Sequence, residues 1–369
     1  MSEPPGFAAT DAPAADRPAP TAPRGRSHAG DADRRRRFRR RRLVAACVAL
    51  LVLVAPVWFV IDAYPIGGTG APVVFEVQPG EPIGQVVATM AGKGIVSSEL
   101  GFRLDLMLTG TPTVQPGWYA IPTSSSFSAA KAALSNGPNA QVVTTVTAEA
   151  SWEIAQDLAS IMGSPFARKF ESYVHNGSVP SPFQPTPHTS LEGLLAPGTY
   201  VLVAGESPRV LLSQMISKFV TRAASVGLDP STTRHGLNAD ELVTVASIVE
   251  KEGYLARNMP KTATVVYNRL ARSMSLQMDA TVEYALHQDG GPVTHATESV
   301  HSSYNTYLHA GLTPSPICIP STQALDATLH APSGPWLYFT LIDASGTLAF
   351  ASTFAQQLAN EAIAARRGL

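Results

Sequence analysis

Asn238-Ala239-Asp240-Glu241-Leu242-Val243-Thr244-Val245-Ala246-Ser247-Ile248-Val249-Glu250-Lys251-Glu252-Gly253 is the stretch on which the reading of this chain turns. Asn238 suits a helix N-cap, and Glu241 three residues on completes a capping box. Leu242, Val245, Ala246 and Val249 recur at i, i+3, i+4 and i+7, so the spacing predicts a helix with one buried face. Gly253 is a natural stop. With Leu242 at zero on a wheel of about 100° per residue, Glu250 falls near +80° and Glu252 near −80°, either side of the apolar stripe. In a last helical turn the dipole disfavours an anion and apolar neighbours withhold solvent, and such conditions produce the raised carboxyl that a general acid requires. Terminal glutamates beside a lysine are ordinarily solvated, however. The helix alone offers no basis for choosing between the two.

Downstream, residues 263–270 read as another helix, ending in Tyr267-Asn268-Arg269-Leu270. Gln277, Asp279 and Thr281 follow, and later Tyr304-Asn305-Thr306-Tyr307. Amides and hydroxyls in loops bind sugar hydroxyls, and aromatic rings cover apolar sugar faces, so a sugar polymer is one ligand such segments suit. They are also common loop residues. Upstream, residues 73–77, 83–90, 100–108, 115–119, 127–134 and 141–146 alternate as strand, helix, helix, strand, helix, strand, a small α+β module. Residues 150–162, 165–175 and 208–226 read as further helices, with a proline-rich loop at 180–189 and a turn at Ala196-Pro197-Gly198-Thr199-Tyr200.

The 369 residues carry a formal net charge of −1, with 27 basic and 28 acidic side chains. That total hides a split: residues 1–42 hold 11 arginines and 5 acidic residues, net +6, which leaves −7 on residues 43–369. Residues 1–33 are Pro/Ala-rich and too poor in apolar side chains to fold. Eight arginines in nine residues (34–42) then abut residues 43–61, which carry no charge and end near Trp58-Phe59. At ~1.5 Å per residue that stretch nearly spans a hydrocarbon core of ~30 Å. A cleaved signal peptide would have a shorter apolar run and a better site than Asp62-Ala63-Tyr64. The one-sided arginine excess predicts a single-pass signal anchor in the cell inner or plasma membrane, its N-terminus cytoplasmic and everything after Asp62 outside. Two cysteines, Cys47 and Cys318, exclude a disulfide framework, and the acidic bulk excludes nucleic acid as partner of the main body. The nine histidines show no ligand spacing, so no metal is expected.

The segment around Ala246-Ser247-Ile248-Val249-Glu250-Lys251-Glu252 resembles the signature helix of the endolytic murein transglycosylase family, also called MltG or YceG-like. Further matches follow in the family's order: Leu191-Glu192-Gly193 with Pro197 and Thr199-Tyr200, Tyr267-Asn268-Arg269-Leu270, Leu276-Gln277 with Asp279 and Thr281-Val282, Tyr304-Asn305-Thr306-Tyr307, Gly311-Leu312 with Pro314, Pro316-Ile317, and Tyr338-Phe339. The resemblance implies an α+β protein with one N-terminal transmembrane helix, a membrane-proximal LysM-like module and a distal mixed α/β catalytic domain. The expected boundaries are 1–42 for an Arg-rich disordered tail, 43–62 for the anchor, 63–72 for a linker, 73–146 for the module and 147–369 for the YceG-like domain. By motif position it implies Glu250 as the catalytic acid and then base, with Asn268, Gln277, Asp279, Thr281, Tyr304, Asn305, Thr306 and Tyr307 on the substrate. The implied reaction is cleavage of MurNAc–GlcNAc bonds within nascent peptidoglycan strands to leave 1,6-anhydro ends, with no metal or cofactor. The expected anchor would hold the active site near the membrane, where nascent strands emerge, and so suggests glycan-polymerising synthases as partners. Gly198, Met278, Ala280 and Ser321 depart from the family pattern. Two other functions compete: a hydrolytic muramidase using Asp279 or Glu252 to position water, and a non-enzymatic wall-binding or division scaffold.

Overall fold

The computed structural model describes residues 28–64, 67–184, 190–288, 290, 294 and 298–369. The expected disorder of residues 1–27 and the end of the proline-rich loop, 185–189, lie outside the described residues. The chain divides into two units, Met1–Ile66 and Gly67–Leu369.

In the first unit, α1 (His28–Ala63) runs through both the arginine cluster and the apolar stretch, past Pro56. Residues 28–42, expected to be disordered, are therefore helical. Arginine is a good helix former, and extending an existing helix is far easier than nucleating one. Leu43, Val44, Leu50 and Val52 are exposed along α1. Among the described residues no helix is long and apolar enough to cross a membrane. The side chains at 47, 51, 53 and 55, inside the expected span, lie outside that description.

The second unit starts with β1 (Pro72–Val77), α2 (Ile83–Gly92), α3 (Glu99–Thr109), β2 (Gly117–Pro122), α4 (Phe127–Asn136) and β3 (Ala140–Thr145). These match the expected order, with β1 antiparallel to β2. Next come α5 (Ser151–Met162), α6 (Ser164–His175) and β4 (Gly198–Val203). The sequence signals only a turn at 196–200, yet β4 pairs antiparallel with β3 from Ala140↔Val203 to Thr145↔Gly198 and completes a sheet of order β1-β2-β3-β4. The sheet thus crosses the boundary expected at 146/147.

The helical part comprises α7 (Pro208–Ser225), α8 (Ala239–Glu252), α9 (Met259–Ala271), α10 (Asp279–Ala285) and α11 (Thr322–Leu329). A hairpin of β5 (Tyr338–Leu341) and β6 (Leu348–Ala351) and then α12 (Phe354–Arg366) complete the fold. The capping box of α8 is present: Asn238 Oδ1 accepts from Glu241 N at 3.0 Å, and Glu241 Oε2 from Asn238 N at 2.7 Å. Its burial differs from expectation, because Leu242 through Val249 are buried on every face, not along one stripe. A helix apolar all round belongs in the middle of a core. Here α8 is surrounded by apolar side chains of α7, α9 and α11, so its carboxyl end is delivered to one fixed place.

Candidate active site

At the end of α8 the chain is forced to turn. A Cβ on Gly253 would lie 2.7 Å from the Val249 carbonyl oxygen and 2.8 Å from Met259 Cγ, so no larger residue fits without displacement. The two glutamates before it diverge, as the wheel requires. Glu250 is half-buried, and its Oε2 accepts from Ser321 N at 2.9 Å, at the start of α11. Glu252 is only 9% exposed, and its Oε1 accepts from Ala280 N at 3.1 Å, in the first turn of α10. Burial raises the Glu252 carboxyl to about 7, and the charges of Asp279 and Glu283 push the same way; the Ala280 N–H and Arg269 oppose them. That places Glu252 where a general acid and a general base are both accessible near neutral pH.

Glu252 lines a cleft of about 410 Å³, together with Tyr254, Arg269, Gln277, Asp279 and Tyr307. The lining continues with Tyr338, Phe339 and Thr340 of β5 and Phe354, Gln357 and Glu361 of α12. Tyr307 Oη donates to Asp279 Oδ1 at 2.5 Å, which joins the segment at 304–307 to α10. Burial, and then this carboxylate, hold the Tyr307 phenol well above its usual range, so it remains a donor. Arg269 donates from Nε to Leu337 O at 2.7 Å and from Nη1 to Leu276 O at 2.5 Å, tying the chain just before β5 to the segment that leads into α10. A buried guanidinium with backbone carbonyls as acceptors is fixed in place, and here it supports the floor.

Of the residues expected on the substrate, Gln277, Asp279 and Tyr307 share this cleft. Thr281, Thr306 and Asn305 are buried behind it. The Thr281 and Thr306 hydroxyls are 2.8 Å apart, Thr306 Oγ1 accepts from Met278 N at 3.0 Å, and Asn305 Nδ2 donates to the Glu298 and Val300 carbonyls. They shape the loops that present the cleft. Tyr304 leans on the Tyr284 ring and shares a 2.7 Å hydrogen bond with Ser315. Asn268 lies elsewhere, lining a separate cavity of about 550 Å³ with His235 and Tyr267 while its Nδ2 donates to the Gly334 and Trp336 carbonyls. Glu250, the carboxylate expected by motif position, is not among the cleft residues.

The sequence motifs pass over Tyr254 and the α12 residues of the cleft, because nothing in the spacing of an exposed aromatic distinguishes it from an ordinary surface residue. Glu192, matched only as part of a motif, is fully buried. It accepts from Ser151 N at 3.0 Å, Ser151 Oγ at 2.5 Å and Tyr284 Oη at 3.1 Å, linking α5 to α10. Burial raises its carboxyl. Gly193 beside it adopts φ +70, and a Cβ there would meet Pro316 at 2.3 Å. Among the described residues no cluster of three or more His, Cys, Asp or Glu could hold a metal, and Cys318 is a buried thiol.

Known proteins resemble this chain over the same region. It is 24% identical over 294 residues to the endolytic murein transglycosylase of Bacillus subtilis (strain 168), a match that covers 75% of this chain and 81% of that protein. It is 26% identical over 313 residues to the endolytic murein transglycosylase of Streptococcus pneumoniae serotype 2, covering 76% of this chain and 56% of the relative. In fold it resembles the crystal structure of a YceG-like protein from Listeria monocytogenes, with a TM-score of 0.51 and 21% identity over 79% of this chain and 99% of that one. The profile of the YceG-like family matches residues 75–363, which takes in the sheet, α8 and the cleft alike, and the chain belongs to that family.

Proposed function

We propose that this protein is a membrane-anchored lytic transglycosylase that cuts peptidoglycan strands internally at MurNAc–GlcNAc bonds, with Glu252 as its acid and base. The observation that carries the assignment is the position of Glu252: a buried carboxyl, raised to about 7, on the wall of a cleft that also collects Gln277, Asp279 and Tyr307. The relatives named endolytic murein transglycosylase support the substrate class. Glu252 protonates the glycosidic oxygen, and the bond from the muramic C1 to that oxygen breaks to leave an oxocarbenium-like centre. The resulting carboxylate takes the proton of the C6 hydroxyl, whose oxygen attacks C1 and closes the 1,6-anhydro ring. Water is not consumed. The sugar supplies the nucleophile, so a second catalytic carboxylate is unnecessary, unlike ordinary retaining and inverting glycosidases. Motif position points to Glu250; its hydrogen bond to Ser321 and its place outside the cleft favour Glu252 instead.

Nineteen uncharged residues, 43–61, directly after eight arginines in nine, support an inner or plasma membrane anchor with the N-terminus cytoplasmic. Two helices between the antiparallel strands β1 and β2 support a LysM-like module at 73–146. An enzyme so placed acts where nascent strands emerge, which makes glycan-polymerising synthases its natural partners.

A hydrolytic route is the second reading, because Asp279 puts a second carboxylate in the cleft. The test is mass spectrometry of peptidoglycan digested by the full chain, beside Glu252→Gln and Glu250→Gln. Anhydro ends, lighter by one water than reducing ends, are expected from the wild type and from Glu250→Gln only. Predominantly reducing ends would establish hydrolysis.

A further inference from the structure

Tyr254, two residues beyond the end of α8, is strained. It adopts φ +56, a left-handed conformation that is costly for a bulky side chain. Gly253 just before it could occupy that region freely, yet Gly253 is right-handed with φ −71. The strain therefore falls on the aromatic residue, and its effect is to leave the ring 58% exposed on the wall of the Glu252 cleft. Phe354, also on this cleft, is 59% exposed although a large apolar ring in water gains nothing for folding. Tyr338 stands beside it, with ring centroids 6.0 Å apart at 55°. The Arg269 guanidinium lies 5.3 Å from the Tyr338 ring centre and bonds to Leu337 O, so this part of the wall is rigid.

The cleft also presents polar groups: Gln277 and Asp279 are exposed, and Tyr307 adds a phenol. One set of apolar rings and another of amide, carboxylate and hydroxyl groups match the two sides of a pyranose, whose C–H face is apolar and whose rim carries hydroxyls. We propose that Tyr254, Tyr338 and Phe354 form an aromatic platform that takes one pyranose ring of the glycan strand by its apolar face, beside Glu252. The substrate class rests on the transglycosylase reading. The platform goes beyond it, assigning strand binding to rings that lie outside the signature helix.

The platform supplies affinity and register and takes no part in proton transfer, so its loss raises KM and leaves kcat nearly unchanged. The test uses the full chain in detergent and a soluble, peptide-free oligomer of alternating N-acetylglucosamine and N-acetylmuramic acid, with binding measured by calorimetry in a Glu252→Gln background. Tyr254→Gly removes the ring while relieving the backbone, so its Tm should be equal or higher. Tyr254→Gly and Phe354→Ala are each expected to weaken binding about tenfold, and Phe354→Trp to keep it within about twofold. Binding within twofold of the parent for both truncations overturns the platform. If the chain with Glu252 intact releases no anhydro ends while Phe354→Ala still loses the oligomer, the platform stands and the transglycosylase reading falls. If the truncated variants bind and cleave like the wild type, the opposite holds. A parent that does not bind the oligomer overturns both.

Discussion

Glu250 and Glu252 are two residues apart on one helix end, and each accepts a backbone N–H at the start of a different helix. Their surroundings nevertheless differ. Glu250 is half-exposed, and its carboxylate has settled on Ser321 N at the start of α11. Glu252 has one comparable hydrogen bond, to Ala280 N, but is buried beside Asp279 and Glu283 and borders open space. On the proposed assignment, an N–H partner is therefore not what separates a structural from a reactive carboxyl. Desolvation and neighbouring negative charge do that, and both depend on what α10 and the hairpin bring to one side of α8.

Substitution separates the two carboxyls most strongly. Glu252→Gln keeps the shape and the acceptor for Ala280 N but cannot donate or take a catalytic proton, so the release of anhydro ends should fall by about 10³-fold. Residual activity within tenfold of wild type would end the assignment. The next effect is on stability. The Glu252 carboxyl has a folded-state pKa raised from 4.5 to about 7. A group raised in the folded state contributes its full stability below the unfolded value and loses it as pH rises through the folded one. Above about pH 8 wild type should therefore have lost up to about 3 kcal/mol relative to its stability below pH 4.5, and Glu252→Gln should lose none of that share. Urea unfolding of both proteins at pH 5 and pH 8 measures it; a constant difference between them would mean the carboxyl is not raised.

Much of this is legible in the sequence. The capping box at Asn238, the helical spacing from Leu242 and the strand–helix–helix–strand order all depend on near neighbours, and those elements lie where they are expected. Glu250 and Glu252 diverge as expected, toward Ser321 N and Ala280 N, although the apolar stripe between them is a helix buried all round. β4 escapes such a reading because Gly198 and Pro197 signal a turn, while the pairing of residues 198–203 with β3 is a long-range contact that no local signal announces. The β5–β6 pairing and α12 escape it for the same reason, although Tyr338-Phe339 stand among the matched motifs. Asn268 illustrates the converse. Its motif is real, but its amide is used on the Gly334 and Trp336 carbonyls, and only the packing of α9 reveals which way it faces.

Asp279 acts on the same carboxyl with a smaller effect. Its charge is one cause of the raised Glu252 carboxyl, so Asp279→Asn should lower that pKa and move the alkaline fall of kcat/KM to lower pH. Asparagine Oδ1 still accepts from Tyr307, so the wall keeps its shape. At neutral pH the rate should drop about two- to tenfold and recover on acidification. A rate loss equal at every pH would instead mean that Asp279 contacts the substrate or its water directly.

The smallest effect belongs to Glu250, and its smallness is the point. Glutamine at this position retains an oxygen to accept from Ser321 N, so Glu250→Gln removes only the attraction between a negative charge and the amino end of α11. That attraction is worth about 0.5 kcal/mol where solvent has access. The variant should unfold at nearly the wild-type urea concentration and cleave within about twofold of the wild-type rate. Because the two glutamates share a helix end, any general disturbance of α8 would reach both variants alike. A large loss of activity with no loss of stability in Glu250→Gln would return the proton transfer to Glu250 and leave the buried, raised Glu252 as a group that only shapes the cleft.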